Sequence, residues 1–185
     1  MLITPFTAEF RRYRSLSERA ASQLPWPLLR VALDGQTNSV AVMMKHVAGN
    51  PRSRWTEPLT TDGEKAWRDR DSEFVDDFPA GEEGRAVLEA QWNAGWGVLE
   101  AALASFTDAD LARVITIRGE PHTLALALTR SLSHTAYHAG QIVQVARAIA
   151  GREGIAWKTL TVARGGSADH NANMGFDPRG PKPLP

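Results

Sequence analysis

Apolar residues recur at helical spacing in four long stretches of this chain. The first runs from about Thr7 to Leu24, with Phe6, Phe10, Tyr13, Ala20 and Leu24 on one side, and Pro25 and Pro27 stop it. The second opens near Asn38 and Ser39, good N-cap residues, and Val40, Met43, Met44 and Val47 then fall at i, i+3, i+4 and i+7. Pro51 is expected to kink or interrupt that helix and to free the carbonyl of Val47. The third, from about Glu83 to Phe106, carries the clearest stripe: Leu88, Trp92, Trp96, Leu99, Leu103 and Phe106. The fourth runs from about Thr123 to Ala150 with Gly151 as its C-cap, and places Leu128, Thr135, His138, Ile142, Val145 and Ile149 inward.

Between the second and third helices lies a polar connection, Glu57 to Gly81, of about 25 residues. Connections of that length are functional or disordered, and Trp67, Phe74 and Phe78 imply that this one packs onto the body. Thr107 and Asp108 end the third helix and cap the next segment. Val114 to Ile117, with a turn around Gly119, Glu120 and Pro121, predicts a short hairpin before the last long helix. After Trp157 the chain turns rich in Gly, Pro and Asn, and its last fifteen residues read as mobile. The expectation is an all-α fold, a four-helix bundle with a long crossover between helices 2 and 3. It forms one domain over residues 1–165, followed by a mobile tail over 166–185.

Composition narrows the function. The chain has 185 residues, 21 Lys plus Arg against 21 Asp plus Glu, and no cysteine. Zero net charge argues against a nucleic-acid partner, and no apolar run of membrane-spanning length argues against a membrane one. The N-terminus lacks the basic-then-apolar order of a secretory signal, so a cytoplasmic protein is expected. Without thiolates, any metal must be held by histidine or oxygen, which favours zinc, nickel, iron or manganese over copper(I). Trp26, Trp55, Trp67 and Trp157 offer either a homodimer face or satellite core.

Candidate chemistry rests on three histidines. His134 and His138 lie four residues apart, about 40° around a helix, so both rings leave one face and can converge on one ion. His138 falls inside the apolar stripe and His134 flanks it. Buried side by side, two neutral imidazoles need partners, since an unpaired buried polar group costs about 1–3 kcal/mol. A shared cation supplies one; ordinary core hydrogen bonds supply another. An open catalytic site needs a third protein ligand, and His46, on the second helix, is the best candidate. Thr135 stands where His-Glu-x-x-His would have its general base, which counts against a metalloprotease. His122 and His170 read as surface or capping residues.

The block NSVAVMMKHVAGNPRSRWTEPLTTDGEKAWRDRDSEF, with HTAYHAGQIVQVAR and WKTLTVARG downstream, resembles the DinB-like superfamily over about Asn38 to Gly165, closest to one bacterial branch of it. That resemblance implies a four-helix bundle with a three-histidine metal site at His46, His134 and His138. It departs from relatives at Pro51, within a stretch that is helical in them. It further implies one divalent transition metal ion, zinc or nickel first and iron or manganese next. The expected function is a metal-dependent thiol transferase or hydrolase acting on a small molecule, with a low-molecular-weight thiol such as bacillithiol or mycothiol as partner. The alternative is a metal-containing binding or stress-response module without turnover, and a further one is a metal-free helical dimer. Around the site, Asn50, Arg54, Arg130 and Gln141 are candidates to hold substrate or to orient a histidine. Among Asp62, Glu64, Asp69, Asp71 and Glu73, a general base is one reading; pairing with Lys65, Arg68 and Arg70 to hold the crossover is the stronger one.

Overall fold

The computed structural model describes residues 2–176. Helix α1 spans Ile3–Ala21, one turn earlier than the local sequence predicts. Its first amides are capped from far away: Asp108 Oδ1 accepts the N–H groups of Leu2 (2.6 Å) and Ile3 (3.2 Å). These are donors a helix start leaves orphaned, so the distant carboxylate lets the helix begin where no local cap exists. The helix ends at Ala21, and Pro25 opens a single turn, α2 (Trp26–Leu29), with Pro27 in its first turn where a missing N–H is harmless. Trp26 and Trp55 are core residues, 1% and 3% exposed, so neither can serve as an exposed dimer cue.

Helix α3 spans Val40–Trp55, and Ser39 Oγ caps it by accepting the Val42 N–H at 3.2 Å. Contrary to the sequence expectation, Pro51 does not interrupt it. The helix runs through the proline, which is buried. The physical reason is packing: α3 lies so close to α4 (Glu82–Ser105) that a Cβ on Gly95 would stand 2.2 Å from the Ala48 carbonyl oxygen. Tertiary contact along that seam outweighs the loss of one backbone hydrogen bond. All six predicted stripe residues of α4 are buried.

Helix α5 (Leu124–Arg152) begins at Thr123, whose hydroxyl accepts the Leu126 N–H. It outlasts the predicted stop at Gly151. The terminating residue is Gly154, at φ 70°, with the Ile155 N–H returning to the Ala150 carbonyl at 2.8 Å and the Gly154 N–H to Gly151. Helix α1 packs on α5 and α3 on α4, while α3 also meets α5 and α1 meets α4. The four long helices thus enclose one apolar core, to which Phe10 and Trp96 contribute an edge-on pair at 6.5 Å. Beyond the predicted domain, Ser167–Asn173 form a short helix, α6, with no buried residue. The rest of the tail, from residue 177, lies outside the described residues. Among the described residues no helix is long and apolar enough to cross a membrane.

The hairpin pairs β1 (Val114–Ile117) with β2 (Glu120–Thr123), Ile115 opposite His122. Its turn is Arg118-Gly119, one residue earlier than predicted, both in left-handed conformation (φ 57° and 75°) as a two-residue hairpin turn requires. Arginine is a poor choice there, and Asp62 in the crossover compensates by accepting the N–H groups of Arg118 and Gly119 at 2.8 Å each, while also bonding the Glu64 N–H at 2.7 Å. These bonds, the Glu64 amide first, hold the Asp62 carboxyl at about 2, below its ordinary 3.8. Because the folded value is the lower one, its contribution is complete above about pH 4 and is lost as pH falls toward about 2. Asp62→Ala is expected to cost about 1–2 kcal/mol near neutrality and nearly nothing at the acid end; urea melts at both pH values check this.

The crossover is pinned rather than loose. Phe78 is buried edge-on against Trp26 (5.6 Å), and a 3-10 turn, Asp71–Phe74, docks on α3. Lys45 Nζ fastens that turn by donating to the Ser72 and Val75 carbonyls and to Asp77. Trp67 departs from expectation: it is 54% exposed, with the Arg52 guanidinium over its ring.

Candidate metal centre

His46 leaves α3 from a buried position, 3% exposed, one turn after the helix has committed its apolar face to the core. His134 and His138 leave α5 one turn apart, as the spacing predicts. The three rings meet: centroids lie 5.2 Å apart for His46 and His134, 5.0 Å for His46 and His138, and 4.5 Å for the α5 pair. One ring nitrogen from each lies within 4.8 Å of the others, and together they could hold a metal ion. His46 Nε2 and His134 Nε2 are 3.2 Å apart. Two imidazole nitrogens on one tetrahedral zinc would sit about 3.3 Å apart, the separation this pair already has.

The crossover supplies what sequence reading did not assign. Glu73, on the 3-10 turn, places Oε2 2.8 Å from His46 Nδ1, and Arg68 clamps the same carboxylate through Nε (2.8 Å) and Nη2 (2.9 Å). Burial pushes the Glu73 carboxyl upward, but the bonds from His46 and Arg68 outweigh it and hold the group below its usual value. An ionised carboxylate only accepts, so His46 donates through Nδ1–H and turns the lone pair of Nε2 toward His134. Gly49 makes this reach available: a Cβ there would lie 2.3 Å from Glu73 Oε1. The Phe74 ring covers His46 at 4.5 Å. The one available signal was the acidic cluster in DRDSEF, where Asp69, Asp71 and Glu73 surround Arg70, and only folding selects Glu73 from it. Its expected pairing with Arg68 is present. Arg70 instead stacks on Phe74, and Lys65 donates to Thr61 and to the Asp62 carbonyl.

The α5 rings are poised as lone-pair donors. Burial first, then the neighbouring His138 and His46, push His134 down to about 3, and burial lowers His138 as well. Both are neutral near pH 7, as a metal ligand must be. His138 Nδ1 is buried without a hydrogen-bond partner, an unmet polar atom of the kind a shared cation would satisfy.

Beside His134 opens a cavity of about 140 Å³, and Asn50, Arg54 and Arg130 line it, three of the four auxiliary candidates. Gln141 is not among its lining; it donates to the Tyr137 hydroxyl at 3.1 Å and also interacts with His138, as expected of a residue that orients a histidine. His122 corrects a second expectation: it is buried, 8% exposed, in β2. The hairpin register turns it inward opposite Ile115, where it contacts Arg130. His170 is exposed in α6.

Three convergent imidazoles on two packed helices, one of them fixed by a buried carboxylate, define a helical protein with a candidate metal centre. The chain belongs to the family described as Protein of unknown function (DUF1572), whose profile matches residues 2–166. No curated protein and no solved structure matches it.

Proposed function

We propose that His46, His134 and His138 are the ligands of one divalent transition metal ion, zinc or nickel first, in a single-domain four-helix bundle of the DinB-like type. The observation that carries this reading is the convergence of three imidazoles with Glu73 fixing the tautomer of the first. Carboxylate-histidine pairs of this kind are the usual support of a metal-bound ring. When bound, the ion supplies a Lewis acid for a thiol, water or carbonyl group.

On this reading the protein is a thiol transferase or hydrolase acting on a small molecule, with a low-molecular-weight thiol as co-substrate. Its own residues divide the work. Glu73 and Arg68 hold His46; Asn50, Arg54 and Arg130 receive the substrate beside His134; Trp55 and Ile115 add apolar surface to the same cavity. A metal-free trio is the second reading, because 3.2 Å between Nε2 atoms also suits an N–H···N bond.

Elemental analysis of protein purified without a nickel column separates the two. Stoichiometric metal is expected in wild type. His134→Ala is expected to lose it while keeping its helical circular dichroism. Metal-free wild type that also refuses zinc and nickel on reconstitution would sink the proposal. Bacillithiol, mycothiol and glutathione, tested for transfer to electrophiles, then distinguish an enzyme from a binding module.

A further inference from the structure

The lining of the cavity beside His134 is chemically mixed: it includes the apolar Trp55, Ile115 and Ile117 and the cationic Arg54 and Arg130. The positive charge there is under-compensated. Glu64 faces Arg54 (3.1 Å) and Arg118 (3.0 Å), with Arg68, already paired with Glu73, further off at 3.7 Å, so one carboxylate serves two guanidiniums. Arg130 has no carboxylate partner among the described residues. It is positioned by a neutral ring instead. His122 Nδ1 lies 2.9 Å from the Glu120 carbonyl and must donate to it, which leaves Nε2 to accept from Arg130 Nη1. A buried histidine thus holds the guanidinium of Arg130, an exposed residue that lines the cavity. Arg54 is only 14% exposed, and burial, with Arg68 and Arg118 nearby, lowers its pKa below the ordinary arginine value despite Glu64.

We infer that this cavity is a subsite for a small organic carboxylate, with its oxygens toward Arg130 and Arg54 and its short apolar body against Ile115, Ile117 and Trp55. Guanidinium forks suit the two oxygens of a carboxylate. Size limits the body: a cavity of roughly 150 Å³ takes a benzene-sized molecule, about six non-hydrogen atoms. As the substrate pocket of the proposed enzyme the inference rests on the metal reading of His134. As a carboxylate site it stands without the ion, and it is tested without it.

Metal-free full-length protein is titrated with butyrate, butyramide and inorganic phosphate, monitored by amide chemical shifts. Butyrate is expected to bind saturably, with shifts around Arg54, Ile115 and Ser131. Butyramide, which keeps the shape and loses the charge, is expected to bind at least about ten-fold more weakly. Arg130→Gln should weaken butyrate by a similar factor with an unchanged melting temperature; Arg130→Lys, keeping charge without the fork, should fall between. Equal binding of butyramide, phosphate binding as tightly as butyrate, or unchanged affinity in Arg130→Gln would each overturn the assignment. Because no ion is present, such a failure leaves the metal content untouched, and a failure to bind metal leaves this titration intact.

Discussion

Glu73→Ala is expected to lower stability by about 3 kcal/mol and to weaken metal binding about ten- to hundred-fold. The stability loss comes from what the carboxylate leaves behind. Arg68 is 3% exposed, and removing its bidentate partner strands a buried cation, with Glu64 at 3.7 Å as partial relief. The affinity loss has a different origin. Without an acceptor at Nδ1, His46 is free to choose its tautomer and ring angle, and Nε2 is no longer reserved for the ion. Glu73→Gln separates the two effects, since its carbonyl still accepts the Nδ1–H while the charge on Arg68 goes uncompensated. Urea melts of the metal-free protein and chelator competition with zinc measure the two quantities. Wild-type zinc affinity in Glu73→Ala would show that His46 needs no orienting carboxylate.

The second large effect contrasts two glycines of one helix. A methyl group on Gly95 would stand 2.2 Å from the Ala48 carbonyl oxygen and 2.9 Å from its Cα, both backbone atoms of α3 that cannot rotate away. Gly95→Ala is expected to destabilise by about 2–3 kcal/mol as α3 and α4 separate. Two residues on, Gly97 is exposed and a Cβ there meets nothing within 4 Å. Gly97→Ala is expected to stabilise by about 0.5–1 kcal/mol through helix propensity alone. Thermal or urea unfolding of both variants checks the opposite signs. A stable Gly95→Ala would mean that the α3–α4 seam is looser than the distance implies. Because His46 stands two residues before Ala48, moving that seam also moves the ring relative to α5.

Periodicity located the four long helices, because an apolar stripe at 3.6-residue spacing is a local property. Every predicted core residue of the α4 stripe is buried, and the hairpin strand at Val114–Ile117 was legible from its β-branched run. The spacing of His134 and His138 likewise fixed that their rings share a face. Boundaries fared less well where the cap is not local. Helix α1 starts on Asp108, and α3 ignores Pro51 because its partner helix holds it in place.

The composition of the site shows the same division. Sequence alone determined which imidazoles could cooperate within one helix and, through resemblance, nominated His46. Only the tertiary structure decided that Glu73, rather than its acidic neighbours in the crossover, meets His46, that Gly49 leaves room for it, and that His122 turns inward to hold Arg130. Those contacts link residues 24, 27 and 8 positions apart in the chain through turns and packing that no local period encodes. A helix writes its own face into the sequence. What a loop brings to that face is set by how the chain folds back upon itself.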